Sequence, residues 1–178
     1  MAGCYESARR VPTAQWATRR DSPLPVGKPH NGGASVTSSA QLPELPEDGL
    51  SGIFDGTVPP GVYRTASVGP EALIQAQAEG WYGTVVDLSG VTDRSGFLAG
   101  CAAALELPGP IVGGWDALAD RFTDLSWLGA TGGYLILTSG WAGFQYAAPR
   151  DADSAAEVLG AAVGYWAVRE APLAAVLG

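Results

Sequence analysis

The chain has 178 residues and a mass of 18.2 kDa, which suits one compact domain plus some extra chain. Acidic residues outnumber basic ones, 18 to 10, so the formal charge is −8 and the pI is near 4.4. That balance argues against nucleic acid as a direct ligand, because neutralising phosphates needs a lysine- or arginine-rich face.

An acidic surface favours a basic partner or serves solubility alone. The apolar share of 47% can supply a core, while 25 glycines and 13 prolines beside only 16% charged residues point to a folded part and a loose part. The two cysteines, Cys4 and Cys101, lie far apart and form neither a disulfide framework nor a metal-ligand spacing. No metal or cofactor is therefore expected, and a reducing, cytoplasmic compartment is the default. The first 20 residues carry Arg9, Arg10, Arg19 and Arg20 and lack the apolar run of a signal peptide.

Residues 1–48 read as a disordered tail rich in Pro, Gly and Ser, without helical or strand period. Its five acids and five bases cancel, so residues 49–178 carry the whole net charge. The only histidine, His30, lies in this tail, where it reads as a solvated residue rather than a ligand or base.

From residue 49 on, strands and helices alternate. Val62-Tyr63-Arg64-Thr65-Ala66 is short and β-rich and follows the turn signal Pro59-Pro60-Gly61. Residues 70–79 predict a helix, with Pro70 at its first turn and Gly80 beyond its end. Trp81 and Tyr82 read as core or hinge packing before a strand at 84–88 (Thr-Val-Val-Asp-Leu). Asp93 can cap the next helix, whose stripe is Phe97, Leu98, Cys101, Ala104 and Leu105. Cys101 is thus a small core residue rather than a nucleophile.

After Pro108-Gly109-Pro110 a second helix runs from Trp115 to about Leu125. Tyr134-Leu135-Ile136-Leu137 is the most apolar strand candidate. It lies in residues 125–149, a stretch without formal charge that five glycines interrupt, so it is read as a strand with loops and not as a membrane span. Trp141, Phe144 and Tyr146 follow in a glycine-containing segment, read either as an exposed partner patch or as packing under the last helix. Asp151 or Asp153 can open that helix, with the stripe Ala155, Val158, Leu159, Ala162, Val163 and Trp166. Residues 173–177 follow Pro172 and close the sheet. The fold class is therefore α/β, a mostly parallel sheet covered by helices.

Common catalytic signatures are missing. There is no Walker loop, no G-x-G-x-x-G, no H-E-x-x-H and no G-x-S-x-G. With its one histidine in the tail, the domain has no Ser-His-Asp or Cys-His site, and no enzyme activity is expected. Gly113-Gly114 before a helix is a plain turn or, alternatively, a source of backbone N–H groups for an anion. Gly160-x-x-x-Gly164 reads as close helix packing or simple exposure.

The most informative segment is the helix at 115–125. At about 100° per residue, Trp115, Leu118, Phe122 and Leu125 share one arc, and Asp116, Asp120 and Asp124 share another. Like charges at i, i+4 cost an isolated helix about 0.2–0.5 kcal/mol per pair. Such a stripe is either a solvated face or a surface for a partner of opposite charge.

Asp116-Ala117-Leu118-x-Asp120 resembles the central motif of the barstar family, small intracellular inhibitors of barnase-type ribonucleases. The order of strand, helix, proline-glycine loop, motif helix, strand, helix and strand fits as well. Residues 115–128 and Pro60-Gly61-Val62-Tyr63-Arg64 resemble actinobacterial barstar-like proteins in particular, which carry an extra strand before the core. The resemblance covers 83–178 as the barstar-like domain and 49–82 as an N-terminal annex of strand and helix. It implies three core parallel strands, with an added strand near 62–66, flanked by helices.

It also implies inhibition, or antitoxin action, by occlusion. The motif helix and preceding loop enter the active-site groove of a basic ribonuclease. Asp116 and Asp120 take the place of RNA phosphates, with Gly113, Gly114 and Ala119 beside them. No nucleic acid or membrane is a partner, and the free protein is expected to be monomeric. The chain departs from the family pattern at three places. Val112-Gly113-Gly114-Trp115 is one residue short and lacks the loop's usual aromatic and Asn; Ala119 stands where barstar has Trp; and Gly164 falls near the place of a C-terminal helix acid. The alternative is a barstar-fold binding module with a non-nuclease partner.

Overall fold

The computed structural model describes residues 41–129 and 131–178. Four parallel strands, β1 (Val62–Arg64), β2 (Tyr82–Asp87), β3 (Tyr134–Ser139) and β4 (Leu173–Leu177), form one sheet in the order β1-β4-β3-β2. Helices α1 (Gly49–Asp55) and α2 (Glu71–Ala78) precede β2, and α3 (Arg94–Ala104) and α4 (Trp115–Thr123) connect β2 to β3. Helices α5 (Trp141–Ala147) and α6 (Pro149–Trp166) connect β3 to β4.

Alternation of side chains along the strands sends each residue set to a separate core. Tyr134, Ile136, Leu173, Ala175 and Leu177 pack with α3, α4, α5 and α6. Leu135, Leu137, Ala174 and Val176 face the opposite way, toward Ile53 of α1 and Ala72 and Ala76 of α2. Strands covered on both faces must be apolar at every position, which explains the unbroken run Leu173-Ala-Ala-Val-Leu177. The result is the expected three-layer α/β arrangement, with the small parallel sheet in the middle.

Several expectations change in detail. The last strand takes an inner place: β4 lies between β1 and β3, so both of its edges are paired, and helices cover both of its apolar faces. The tail expected from the sequence includes residues 41–48. Instead, Leu42 is buried, Glu44 bridges Arg64 in parallel, and the Leu45 N–H donates to the Arg64 carbonyl at 2.7 Å, which protects the exposed edge of β1. The rest of the tail reading, with His30 and Cys4, lies outside the described residues.

Two short helices were not foreseen, α1 and α5, each seven residues long. In α5 the aromatic segment divides. Trp141 and Phe144 are buried, with Phe144 stacked on Phe97 at 5.2 Å, whereas Tyr146 is 92% exposed. The turn into α5 depends on Gly140, whose φ is 79° and whose missing Cβ leaves room for the Ser89 backbone N at 3.1 Å. Helix α6 starts at Pro149, before both aspartates proposed to open it; Asp151 sits in its first turn. Its predicted stripe faces inward, and Gly160 and Gly164 are simply exposed. Asp93 caps α3 as expected, accepting from the Gly96 N–H at 2.8 Å. Cys101 is buried, its thiol pushed up to about 12 by burial, so it is no nucleophile. Among the described residues, no helix is long and apolar enough to cross a membrane.

Candidate functional site

Helix α4 is built by its apolar face. Leu118 and Phe122, one turn apart, are fully buried, and Leu125 continues the anchor beyond the helix end. Trp115, half-buried, leans on Phe97 of α3 with ring centroids 5.5 Å apart. At the other end the Trp166 indole N–H of α6 donates to the Phe122 carbonyl at 2.6 Å, and the Trp127 indole N–H donates to the Leu105 carbonyl at 3.0 Å. The first of these satisfies a terminal helix carbonyl that has no partner within the helix. The helix is thus held along one side and at both ends.

The opposite face carries the charges. Asp116 and Asp120 are both exposed, one turn apart, a spacing of about 5–6 Å between Cβ atoms. Ala119 lies beside them, half-buried. Asp116 occupies the first turn, where the helix dipole favours negative charge by about 0.3–1 kcal/mol.

The third member of the expected acidic stripe is elsewhere. The helix ends at Thr123 rather than near Leu125, and Asp124 is extended, with φ −127° and ψ 107°. Its Oδ1 accepts the Ser126 N–H at 3.1 Å and holds the start of a 3-10 turn, Ser126–Leu128. Asp124 prefers this local turn because a short carboxylate reaches the backbone two residues on. The Ser126 hydroxyl and N–H hold its carboxyl below the usual range, and the Arg121 charge adds to this. The motif face is therefore a pair of carboxylates, not a row of three.

The chain enters α4 through two left-handed glycines. Gly113 has φ 117°, and Gly114 has φ 77° with ψ −141°. The Gly114 conformation is open in practice to glycine alone, at a cost of about 1–3 kcal/mol for other residues. Gly114→Ala is expected to lower stability by about that amount and to shift the first turn of α4, which a urea titration and the inhibition assay below would both register. Gly114 is half-buried and Gly113 exposed, so the turn presents backbone beside Asp116.

One neighbour escaped the sequence reading. Arg94, at the start of α3, is exposed and brings Nη1 to 3.8 Å from the position a Cβ on Gly114 would occupy. Twenty residues of separation and the absence of any periodic relation left no sequence signal for this contact. Among the described residues, no group of three or more His, Cys, Asp or Glu is placed to hold a metal ion.

Local hydrogen bonds also hold Asp93 and Asp87 below the usual carboxylate range: Asp93 through the Gly96 N–H and the Ser95 hydroxyl, Asp87 through the hydroxyl and N–H of Ser89 and the Ser139 hydroxyl. A folded pKa below the unfolded value of about 3.9 gives stability that is complete above that pH and is lost as pH falls through the folded values. The urea midpoint is expected to be flat near neutrality and to fall below about pH 4. The double variant Asp93→Asn, Asp124→Asn should fall less steeply there.

Chemically, two carboxylates on a fixed helix bind guanidinium or ammonium groups by short charge-assisted hydrogen bonds. A pair this close and exposed is suited to a cationic cleft. A family model described as Barstar (barnase inhibitor) matches residues 82–178. The match starts at the first residue of β2 and includes α3, the glycine turn, α4 and the rest of the chain, leaving α1, β1 and α2 outside. Neither the curated proteins nor the solved structures contain a match to the chain. With over half of its length matched, and the three-layer parallel fold around it, the chain belongs to the barstar family.

Proposed function

We propose that this protein inhibits a basic, barnase-type ribonuclease by laying α4 and the Gly113-Gly114 turn into the enzyme's active-site groove. The observation that carries the reading is the exposure of Asp116 and Asp120, side by side, on a helix whose other face is anchored by Leu118 and Phe122. The two carboxylates stand in for RNA phosphates and bind the cations that would hold them. Ala119 and the glycines let the partner approach closely, because they add little bulk. A rigid helix loses little conformational freedom on binding, which favours affinity. The net charge of −8 speeds encounter with a basic partner, an effect that salt weakens. In this reading the protein acts by occlusion, without turnover, and meets its nuclease in the cytoplasm. Residues 49–82 serve as an annex that covers the far face of the sheet.

The test is a titration of RNA cleavage by barnase and by other basic ribonucleases of its type. Inhibition should be stoichiometric, weaken with salt, and disappear in the double variant Asp116→Asn, Asp120→Asn with the thermal midpoint retained. Inhibition that survives in that variant refutes the site. A second reading, a binding module for a non-nuclease protein, draws support from the loop. There Val112, 82% exposed, follows Ile111 in place of the family's aromatic. Tight binding to a partner without nuclease activity would select it.

A further inference from the structure

Charge is divided along this chain. Residues 1–40 hold Arg9, Arg10, Arg19, Arg20 and Lys28 against only Glu6 and Asp21, a net charge of +3, whereas residues 41–178 hold 16 acids against five arginines, a net charge of −11. The two parts join beside the core that carries α4. Leu42 is buried in the same layer as Leu118 and Phe122, on the α4 side of the sheet. The Arg64 N–H donates to the Pro43 carbonyl at 2.7 Å, which fixes the chain there. Arg20 precedes Gln41 by 21 residues. A chain of that length can span up to about 70 Å, and a domain of this size is about 40 Å across, so the length suffices to bring Arg19 and Arg20 to α4.

The exposed face of α4 matches such a segment in charge. Asp116 and Asp120 are exposed and one turn apart. Arg94, at the nearby glycine turn, does not cancel them, because Asp93 precedes it and the Asp151 carboxylate accepts its N–H at 3.1 Å. Arg121 is half-buried and acts on Asp124. Two adjacent arginines offer two forked donors, one for each carboxylate. We infer that the basic segment 1–40 docks through its arginine pairs on Asp116 and Asp120 of the same chain, and that a nuclease must displace it to bind. The inference rests on the inhibitor reading above and adds its regulation. Tethering makes the contact intramolecular, so weak ion pairs suffice to form it. Exposed ion pairs contribute little individually, so the segment lowers the affinity for any cationic partner by about three- to tenfold. A tight nuclease complex stays saturated after such a loss, whereas weak basic partners are kept off the face.

The test uses the full chain and compares wild type with the fourfold variant Arg9→Gln, Arg10→Gln, Arg19→Gln, Arg20→Gln. At low salt the backbone amide resonances of residues 113–120 are expected to shift in that variant. At high salt, where the contact is screened, the two chains should agree. With Asp116→Asn and Asp120→Asn also present, the four tail substitutions should leave these resonances unmoved. Inhibition of barnase, the probe nuclease, should tighten by about three- to tenfold in the fourfold variant at low salt. Loss of positive charge also speeds encounter with a basic enzyme, so the resonances decide. Unmoved resonances in the fourfold variant, or shifts that survive removal of both aspartates, overturn the inference. Shifts that grow with protein concentration place the segment on a second copy and overturn it as well. If the resonances stay unmoved while wild type inhibits barnase and Asp120→Ala does not, only the docked segment fails. If the resonances respond as expected but neither chain inhibits barnase, the docked segment stands and the inhibitor reading fails.

Discussion

Asp120→Ala is expected to weaken inhibition of a barnase-type ribonuclease by 2 kcal/mol or more, roughly thirtyfold at the least. Close charge pairs across the barnase–barstar interface give losses of this size. Asp120 lies one turn into α4, beyond the compensating first turn that favours Asp116, and its neighbours on the helix are Ala119 and Arg121. Removing it leaves partner cations in the occluded groove without a counter-charge, and that desolvated, unpaired charge is the larger part of the loss. Because Asp120 is exposed in the free protein, the substitution should leave stability nearly unchanged. Removing one member of an i, i+4 like-charge pair even relieves a small repulsion. The two measurements, inhibition constant and thermal midpoint, should therefore separate. A parallel fall in both would mean that Asp120 supports the helix rather than the complex.

Phe122→Ala should do the reverse and lower the stability of the domain while leaving the acidic face in place. Phe122 is fully buried in the core beneath α4, and truncation of a buried phenylalanine costs about 3–5 kcal/mol. For a domain whose whole stability is about 5–15 kcal/mol, that is a large share. The Trp166 bond to the Phe122 carbonyl uses the backbone and survives the substitution, so the loss is one of packing. The urea midpoint should drop sharply. Inhibition measured well below the thermal transition should persist, because the carboxylates are untouched. A change of less than about 1 kcal/mol would show that the surrounding side chains collapse into the space.

Much of this architecture was legible in residue pattern. The stripes of α3 and α6 repeat with helical period, the apolar runs at 84–88, 134–137 and 173–177 have strand length, and Asp93 is a good N-cap. The acidic pair Asp116 and Asp120 was also legible, since i, i+4 spacing on a helix fixes their common face. What failed were features governed by competition between local and distant contacts. Helix α5 is too short to show a period, and it forms because Trp141 and Phe144 find Phe97. Asp124 left the helix because its carboxylate captured the Ser126 N–H. Residues 41–48 look like tail, yet an open strand edge recruits them.

By itself, the amino-acid order determined which segments are apolar on one face or two, hence an α/β domain, and which carboxylates share a helix surface. Only the tertiary structure decided that β4 is internal, that Asp124 is withdrawn from the acidic face and that Arg94 stands at the glycine turn. The physical reason is range. Periodicity, capping and like-charge spacing act over a few residues and are written in the local order, whereas strand order and the meeting of α3 with α4 are settled by which apolar faces can be buried together.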